Sequence, residues 1–476
     1  MKRWIVSILI IVYTAQLYGQ LQQSILDIIK SPSSESAHFG ISVKSQSGES
    51  LYSYQSETRL IPASTFKLIT TLTLMDQKGS DFIYKTELGY VGRILKDGTL
   101  EGDLVIVGSG DPSLGAPEPH GAVSFDDFLS QIVGWAKKKG ITCIDGAVVV
   151  DNSIFNLKAV HPSWAWDDLT NYYASGAWGF NLHENYYYLD FLRSSQANEP
   201  TKIEAVTPAV PDLKFANKVR TGKVGSGDNA YIYGNPYDVS RWIEGTIPPG
   251  SGSFTIKGAM PDPSLFGAYQ VSQALRASSI KVNEYRSTNE KVSGIESLGV
   301  FSSEPLSDMI KYANHTSNNL YCEAFFKTLG VANGLQGGFD NGRDRMENIL
   351  TDYGMDLSGI RIEDGSGLSS RNRISPDFMT SFLKAQGSRI GIDVLKTLIP
   401  KTGKQGSVKA FLNNYKAQDH AWLKSGSINN VLAYAGILRT SSDQDVYISI
   451  MANGHNSNRR LRSQMEQIIE LLYKEL

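Results

Sequence analysis

Pro62-Ala63-Ser64-Thr65-Phe66-Lys67-Leu68 sets a hydroxyl and an amine three residues apart where a helix should begin. Proline leads in, Phe66, Leu68, Ile69, Leu72 and Met75 recur at helical spacing, and Gly79 stops the run, which predicts a helix from Ser64 to Gln77. A serine hydroxyl is a poor nucleophile at neutral pH and needs a neighbouring base. A lysine one turn later lies on the same helix face, and the helix N-terminus adds positive potential and free N–H groups near a reacting carbonyl. The lysine serves as a base only when neutral, a state that burial and nearby cations favour. The spacing recurs at Ser278…Lys281 and Ser381…Lys384, but neither stands at a strand-to-helix entry followed by a strong helical run, so both read as chance.

Two later segments offer complementary chemistry. Ser317-Asn318-Asn319 falls where a predicted helix from Leu306 to Asn314 gives way to another from Asn319 to Gly330. A second hydroxyl there could relay a proton to a leaving amine, and an Asn amide could hold a substrate backbone. The same residues also make an ordinary helix cap. Lys424-Ser425-Gly426-Ser427 sits inside a predicted strand from Ala421 to Ile428. A sheet edge beside an active site pairs with substrate backbone, its glycine permits close approach, and its lysine attracts a carboxylate. The plain alternative is a strand with a bulge.

In this order the three segments resemble the signature of penicillin-binding proteins and active-site serine β-lactamases. Gly108-Ser109-Gly110-Asp111-Pro112-Ser113-Leu114, Asp262-Pro263-Ser264, Asp364-Gly365-Ser366-Gly367-Leu368-Ser369 and Asn372-Arg373-Ile374-Ser375-Pro376 extend the likeness from about residue 25 to the end of the chain. They resemble the class C low-molecular-mass penicillin-binding proteins, which are D-alanyl-D-alanine carboxypeptidases and endopeptidases. The resemblance implies an α/β, β-lactamase-like transpeptidase domain, an antiparallel sheet flanked by helices, over residues 20–83 and 300–476. It implies a β-rich insertion of two domains, one over 84–108 and 185–299 and the other nested within it at 109–184.

Carried onto this chain, Ser64 is the acylated nucleophile, Lys67 its base and Ser317 the proton relay. Asn319, Lys424, Ser425, Gly426 and Ser427 bind substrate, with the backbone N–H groups of Ser64 and Ser427 as the oxyanion hole. The chain departs from the family pattern at Ser425, where threonine is usual, and at Asn318, where aspartate is commoner. The implied partners are peptidoglycan stem peptides, with β-lactams as inhibitors, and no cofactor is implied. A serine β-lactamase, and a non-hydrolytic peptidoglycan-binding or sensor protein on the same fold, are the alternatives.

The rest of the 476-residue chain frames these expectations. With 46 basic and 48 acidic residues there is no cationic surplus to suggest nucleic acid, and the oligomeric state stays open. Cys143 and Cys322 are too few and too far apart for a disulfide framework or a cysteine zinc site. His161, His183, His315, His420 and His455 lack metal-ligand spacing, so no metal is expected. Lys2 and Arg3 before an apolar run from Trp4 to Tyr13 predict a signal peptide over residues 1–19 and a soluble, exported, periplasmic or otherwise extracytoplasmic protein. From Asp81 to Gly299 short β-like runs alternate with Gly, Pro, Ser and Asn clusters, and the aromatic groups Trp164–Trp166 and Tyr186–Tyr188 read as core or interface packing, with sugar or peptide stacking as the alternative. The chain should close with strands from Ala421, Val431 and Gln444 and a helix from Leu461 whose apolar stripe packs on them.

Overall fold

The computed structural model describes residues 19–31, 37–117, 123–332, 334–455 and 457–476. The predicted signal segment lies outside these residues up to position 18. Among the described residues no helix is long and apolar enough to cross a membrane. Two compact units form: one takes the chain up to Asp76, Ile310–Ser317 and everything from Met346, the other Gln77–Met309 and Asn318–Arg345.

The first unit is built on a five-stranded antiparallel sheet in the order Ala421–Ile428, Val431–Arg439, Asp445–Asn453, His38–Lys44 and Ser50–Tyr54. Side chains alternate across a strand, so His38–Lys44 shows what covers each face. Phe39, Ile41 and Val43 enter a core with Leu461, Met465, Ile468, Ile469 and Leu472 of the terminal helix Asn458–Glu475. On the other face Ser42 hydrogen-bonds Thr380, and Lys44 pairs with Asp377 of the helix Pro376–Ile390. With both faces covered, the middle strands Val431–Arg439 and Asp445–Asn453 are buried almost throughout and read as continuous apolar runs. Ala421–Ile428 is left at a sheet edge.

The second unit has a mixed five-stranded sheet in the order Lys281–Thr288, Cys143–Asp151, Thr99–Val107, Lys85–Ile94 and Glu296–Ser302. Cys143–Asp151 runs parallel to both its neighbours. Helices Phe125–Lys138 and Pro263–Ala277 supply Phe128, Ile132, Phe266 and Val271 to its core. Two three-stranded sheets complete the unit: Ser253–Ala259, Tyr186–Leu192 and Lys202–Thr207 in one, and Lys214–Thr221, Ser240–Ile247 and Tyr231–Tyr233 in the other. The insertion is thus rich in β-structure, with helices inside it. Phe125–Lys138 was not expected from the sequence, although Ser124 caps it by accepting from the Asp127 amide and two aspartates open its first turn.

Candidate active site

The site of the first unit starts from a tight entry turn. Ala63–Phe66 forms a 3₁₀ turn that passes directly into the α-helix Lys67–Lys78. Ala63 sits at φ +46°, a left-handed conformation uncommon for a residue with a Cβ. Ser64 emerges partly accessible while its neighbours on both sides are buried. The Lys67 side chain is wholly buried, and its Nζ donates to Ser64 Oγ at 3.0 Å and to the Ser366 carbonyl at 2.7 Å. Thr70, one turn on, donates to the Gly365 carbonyl at 2.7 Å, so two successive carbonyls of one loop anchor the helix. That loop is held by buried Asp364, whose carboxylate accepts from the amides of Gly367 (2.9 Å) and Ser369 (2.6 Å) and from Asn372 Nδ2 (2.7 Å).

A second serine–lysine pair lies in the same unit. Lys424, also fully buried, donates to Ser317 Oγ at 2.9 Å and to the Ser425 carbonyl at 2.8 Å. Ser317 occupies φ +60°, so its position depends on its surroundings holding it. Gly426 joins the two pairs. A Cβ there would lie 2.6 Å from the Pro62 carbonyl and 2.8–2.9 Å from the amides of Thr65 and Ser64, so the edge strand rests on the backbone of the Ser64 turn. Gly367 approaches the same turn, where a Cβ would overlap the Ala63 carbonyl. Ser425 Oγ meets Ser407 Oγ at 2.6 Å, and Ser427 is exposed on the strand.

Ser64, Lys67, Ser317, Lys424, Ser425, Gly426 and Ser427 therefore all belong to the first unit, joined by the contacts just described. Asn319 belongs to the second, where its Nδ2 donates to the Tyr173 carbonyl at 2.7 Å. Asn318 caps the helix Asn319–Leu329 and donates to Glu184 at 3.0 Å. The two chance repeats of the motif separate from any such setting: Ser278 follows the end of one helix with Lys281 in a strand, and Ser381 and Lys384 lie within the helix Pro376–Ile390.

The sequence did not single out His315. Its Nε2 is buried without a hydrogen-bond partner, and burial, with Lys311 and Lys424 nearby, pushes its pKa down to about 4. Its place two residues before Ser317 was the available signal.

A covered antiparallel sheet, a Ser–x–x–Lys helix entry and a Lys–Ser–Gly edge strand define an active-site serine hydrolase of the penicillin-binding class. The profile of the D-Ala-D-Ala carboxypeptidase 3 (S13) family matches residues 21–475. The chain belongs to that family of serine peptidases. The D-alanyl-D-alanine carboxypeptidase of Actinomadura sp. (strain R39) is 23% identical over 458 residues, covering 92% of this chain and 81% of that protein. D-alanyl-D-alanine carboxypeptidase DacB of Haemophilus influenzae is 24% identical over 431 residues, covering 89% and 87%. The crystal structure of penicillin-binding protein 4 from Haemophilus influenzae matches with a TM-score of 0.83 at 22% identity, over 94% of this chain and 99% of that one. The fold expected from the sequence is the one observed.

Proposed function

We propose that Ser64 attacks the carbonyl of the penultimate D-alanine of a stem peptide. Its proton passes to Lys67 as the Oγ–C bond forms, and the C–N bond to the terminal residue breaks. Ser317, held by Lys424, relays a proton to the leaving nitrogen, while the N–H groups of Ser64 and Ser427 stabilise the oxyanion. Water then cleaves the ester and restores Ser64. Lys424 attracts the substrate carboxylate, Asn319 holds its backbone, and the strand Ala421–Ile428 pairs with it along the sheet edge beyond Leu423, residues 421–423 being bridged to 400–402. A terminal D-alanine as leaving group makes the reaction a carboxypeptidase step, and the amine of a neighbouring stem makes it an endopeptidase step.

One observation carries this reading: the 3.0 Å Lys67–Ser64 contact, on a turn against which Gly426 of the Lys424 strand is packed. Ser64→Ala should abolish covalent labelling by a fluorescent penicillin. Labelling that persists at full stoichiometry would refute the nucleophile assignment. Chromatography of peptidoglycan fragments after incubation with the protein separates the two activities, since only the first releases D-alanine from a pentapeptide monomer.

The basic-then-apolar run at residues 2–13 supports export across the cytoplasmic membrane. The insertion is proposed to comprise an outer and a nested domain. The nested part is taken at 109–184 and the outer part at 84–108 and 185–299, with Cys143–Asp151 of the former pairing in one sheet with Thr99–Val107 and Lys281–Thr288 of the latter.

A further inference from the structure

The second unit carries a run of aromatic side chains that the chemistry at Ser64 does not use. Its middle is a joint: Thr170 Oγ1 donates to the Ile232 carbonyl at 2.6 Å, and Asn171 bonds both the amide and the carbonyl of Ile232 at 3.2 Å. Ile232 is buried, so Tyr231 and Tyr233, on either side of it in the strand, share the opposite, outward face. Tyr233 stacks on Trp242, its register partner, with centroids 5.6 Å apart and planes 15° apart. Across the joint Tyr172 meets Tyr173 at 5.5 Å and Tyr186 at 6.1 Å, and Tyr186 meets Tyr188 at 5.5 Å. Burial, then the nearby groups Asp168, Tyr231 and Asp167, hold the Tyr173 phenol above its ordinary pKa. Tyr172 is 48% exposed and Tyr231 44%, more than a ring in a core would be.

The polar groups among the rings narrow the ligand. Asp168 accepts from the Tyr173 hydroxyl at 2.9 Å, Asp167 is exposed beside it, and Glu244 is the register partner of Tyr231. Lys257 is already lodged, 4.6 Å from the Tyr186 centroid and 5.5–5.6 Å from those of Tyr188 and Tyr172, with its ammonium on the Tyr186 hydroxyl at 3.2 Å. Carboxylates at the surface disfavour an anionic polymer or the free carboxylates of a stem peptide. Carboxylates among the rings also disfavour the apolar centre of a protein interface, which is depleted of acidic residues. Hydroxyl and amide donors of an uncharged chain would satisfy them, while sugar C–H faces stack on the rings.

We propose that this strip binds a neutral polyhydroxylated chain, the N-acetylated amino-sugar strand that bears the stem peptides. The proposal rests on the cell-wall reading above. The strip starts at Tyr173, whose carbonyl holds Asn319 of the second motif, so a strand lying on it is bound by the same unit that carries that asparagine.

The test uses the full chain and uncharged oligomers of N-acetylglucosamine, so binding is read without any catalytic step. The wild type should bind them. Tyr172→Ala and Tyr231→Ala together should weaken binding about tenfold, the scale of losing such stacking contacts, and the corresponding Phe variants should keep it. Thermal melts of each variant report folding. In the wild type alone, glycan should also slow amide hydrogen exchange at 171–173 and 231–242, which needs no substitution. No binding by the wild type, Ala variants that fold and bind normally, or protection confined to other segments would each overturn the proposal. Penicillin labelling of the same wild-type sample tests the catalytic reading separately.

Discussion

At the scale of single residues, the two buried lysines invite opposite expectations for rate and stability. Lys67 is enclosed entirely and donates to Ser64 Oγ and the Ser366 carbonyl. Met has a similar length and no charge, so Lys67→Met removes the proposed base while relieving the cost of an enclosed amine. Acylation by a chromogenic cephalosporin should slow by about 10²–10⁴, the usual contribution of a positioned general base. Its melting temperature should hold or rise. A fall in both would assign Lys67 to structure. Lys424→Met differs, since it frees a strained Ser317 whose φ is positive. The Ser64–Lys67 motif was legible from sequence because it is contiguous. The Ser366 acceptor was not, since a main-chain carbonyl 299 residues away leaves no side-chain signature.

At the scale of elements, the site depends on a strand lying against a turn, and glycine makes that contact. Any Cβ at Gly426 meets three backbone atoms within 2.6–2.9 Å, and none of them can swing aside as a side-chain tip would. Gly426→Ala should therefore push the edge strand off the turn. We expect a loss of about 1–3 kcal/mol in denaturant unfolding and of roughly a hundredfold in acylation rate, as for small misplacements of reacting groups. Gly134 gives the contrast. It lies exposed inside the helix Phe125–Lys138 with nothing within 4 Å of where a methyl group would sit, so Gly134→Ala should stabilise the protein by about 0.5–1 kcal/mol. A destabilised G134A or an unaffected G426A would contradict this account. Elements with strong apolar runs, such as Val431–Arg439 and Asp445–Asn453, could be placed from sequence closely. Lys202–Thr207 and Lys214–Thr221 could not, because Lys202, Glu204, Lys214, Lys218 and Arg220 at their outward positions hide the alternation of half-buried residues.

At the scale of the whole molecule, each unit buries a basic group whose lowered pKa makes its cost depend on pH. In the first, His315 has its pKa lowered to about 4 by burial and by Lys311 and Lys424. In the second, Lys327 is fully buried on the helix Asn319–Leu329, bonded to the carbonyls of Lys158 and Ala177 at 2.7 Å and set over the Phe339 ring at 4.6 Å. Burial lowers its pKa to about 7 despite the opposing effect of Glu323. In both cases the unfolded chain binds the proton more tightly than the folded one, so stability rises with pH across the gap between the two pKa values. For His315 that window runs from about 4 to the ordinary histidine value near 6.5, and stability is lost as pH falls through it. For Lys327 it runs from about 7 to the ordinary lysine value near 10.5, with the penalty full below the window and relieved above it. Neither group could be found by pattern, since each owes its state to contacts from distant segments. His315→Leu should reduce the slope of the acid limb of a plot of unfolding free energy against pH, where His183 and His455, also lowered by burial, keep contributing, and leave the alkaline limb alone. Lys327→Met should reduce the alkaline slope and leave the acid limb alone, and the double variant should reduce both. Urea titrations from pH 4 to 10 read all three slopes, and wild-type stability that fails to rise between pH 7 and 10 relative to Lys327→Met would show that the buried amine stays protonated when folded.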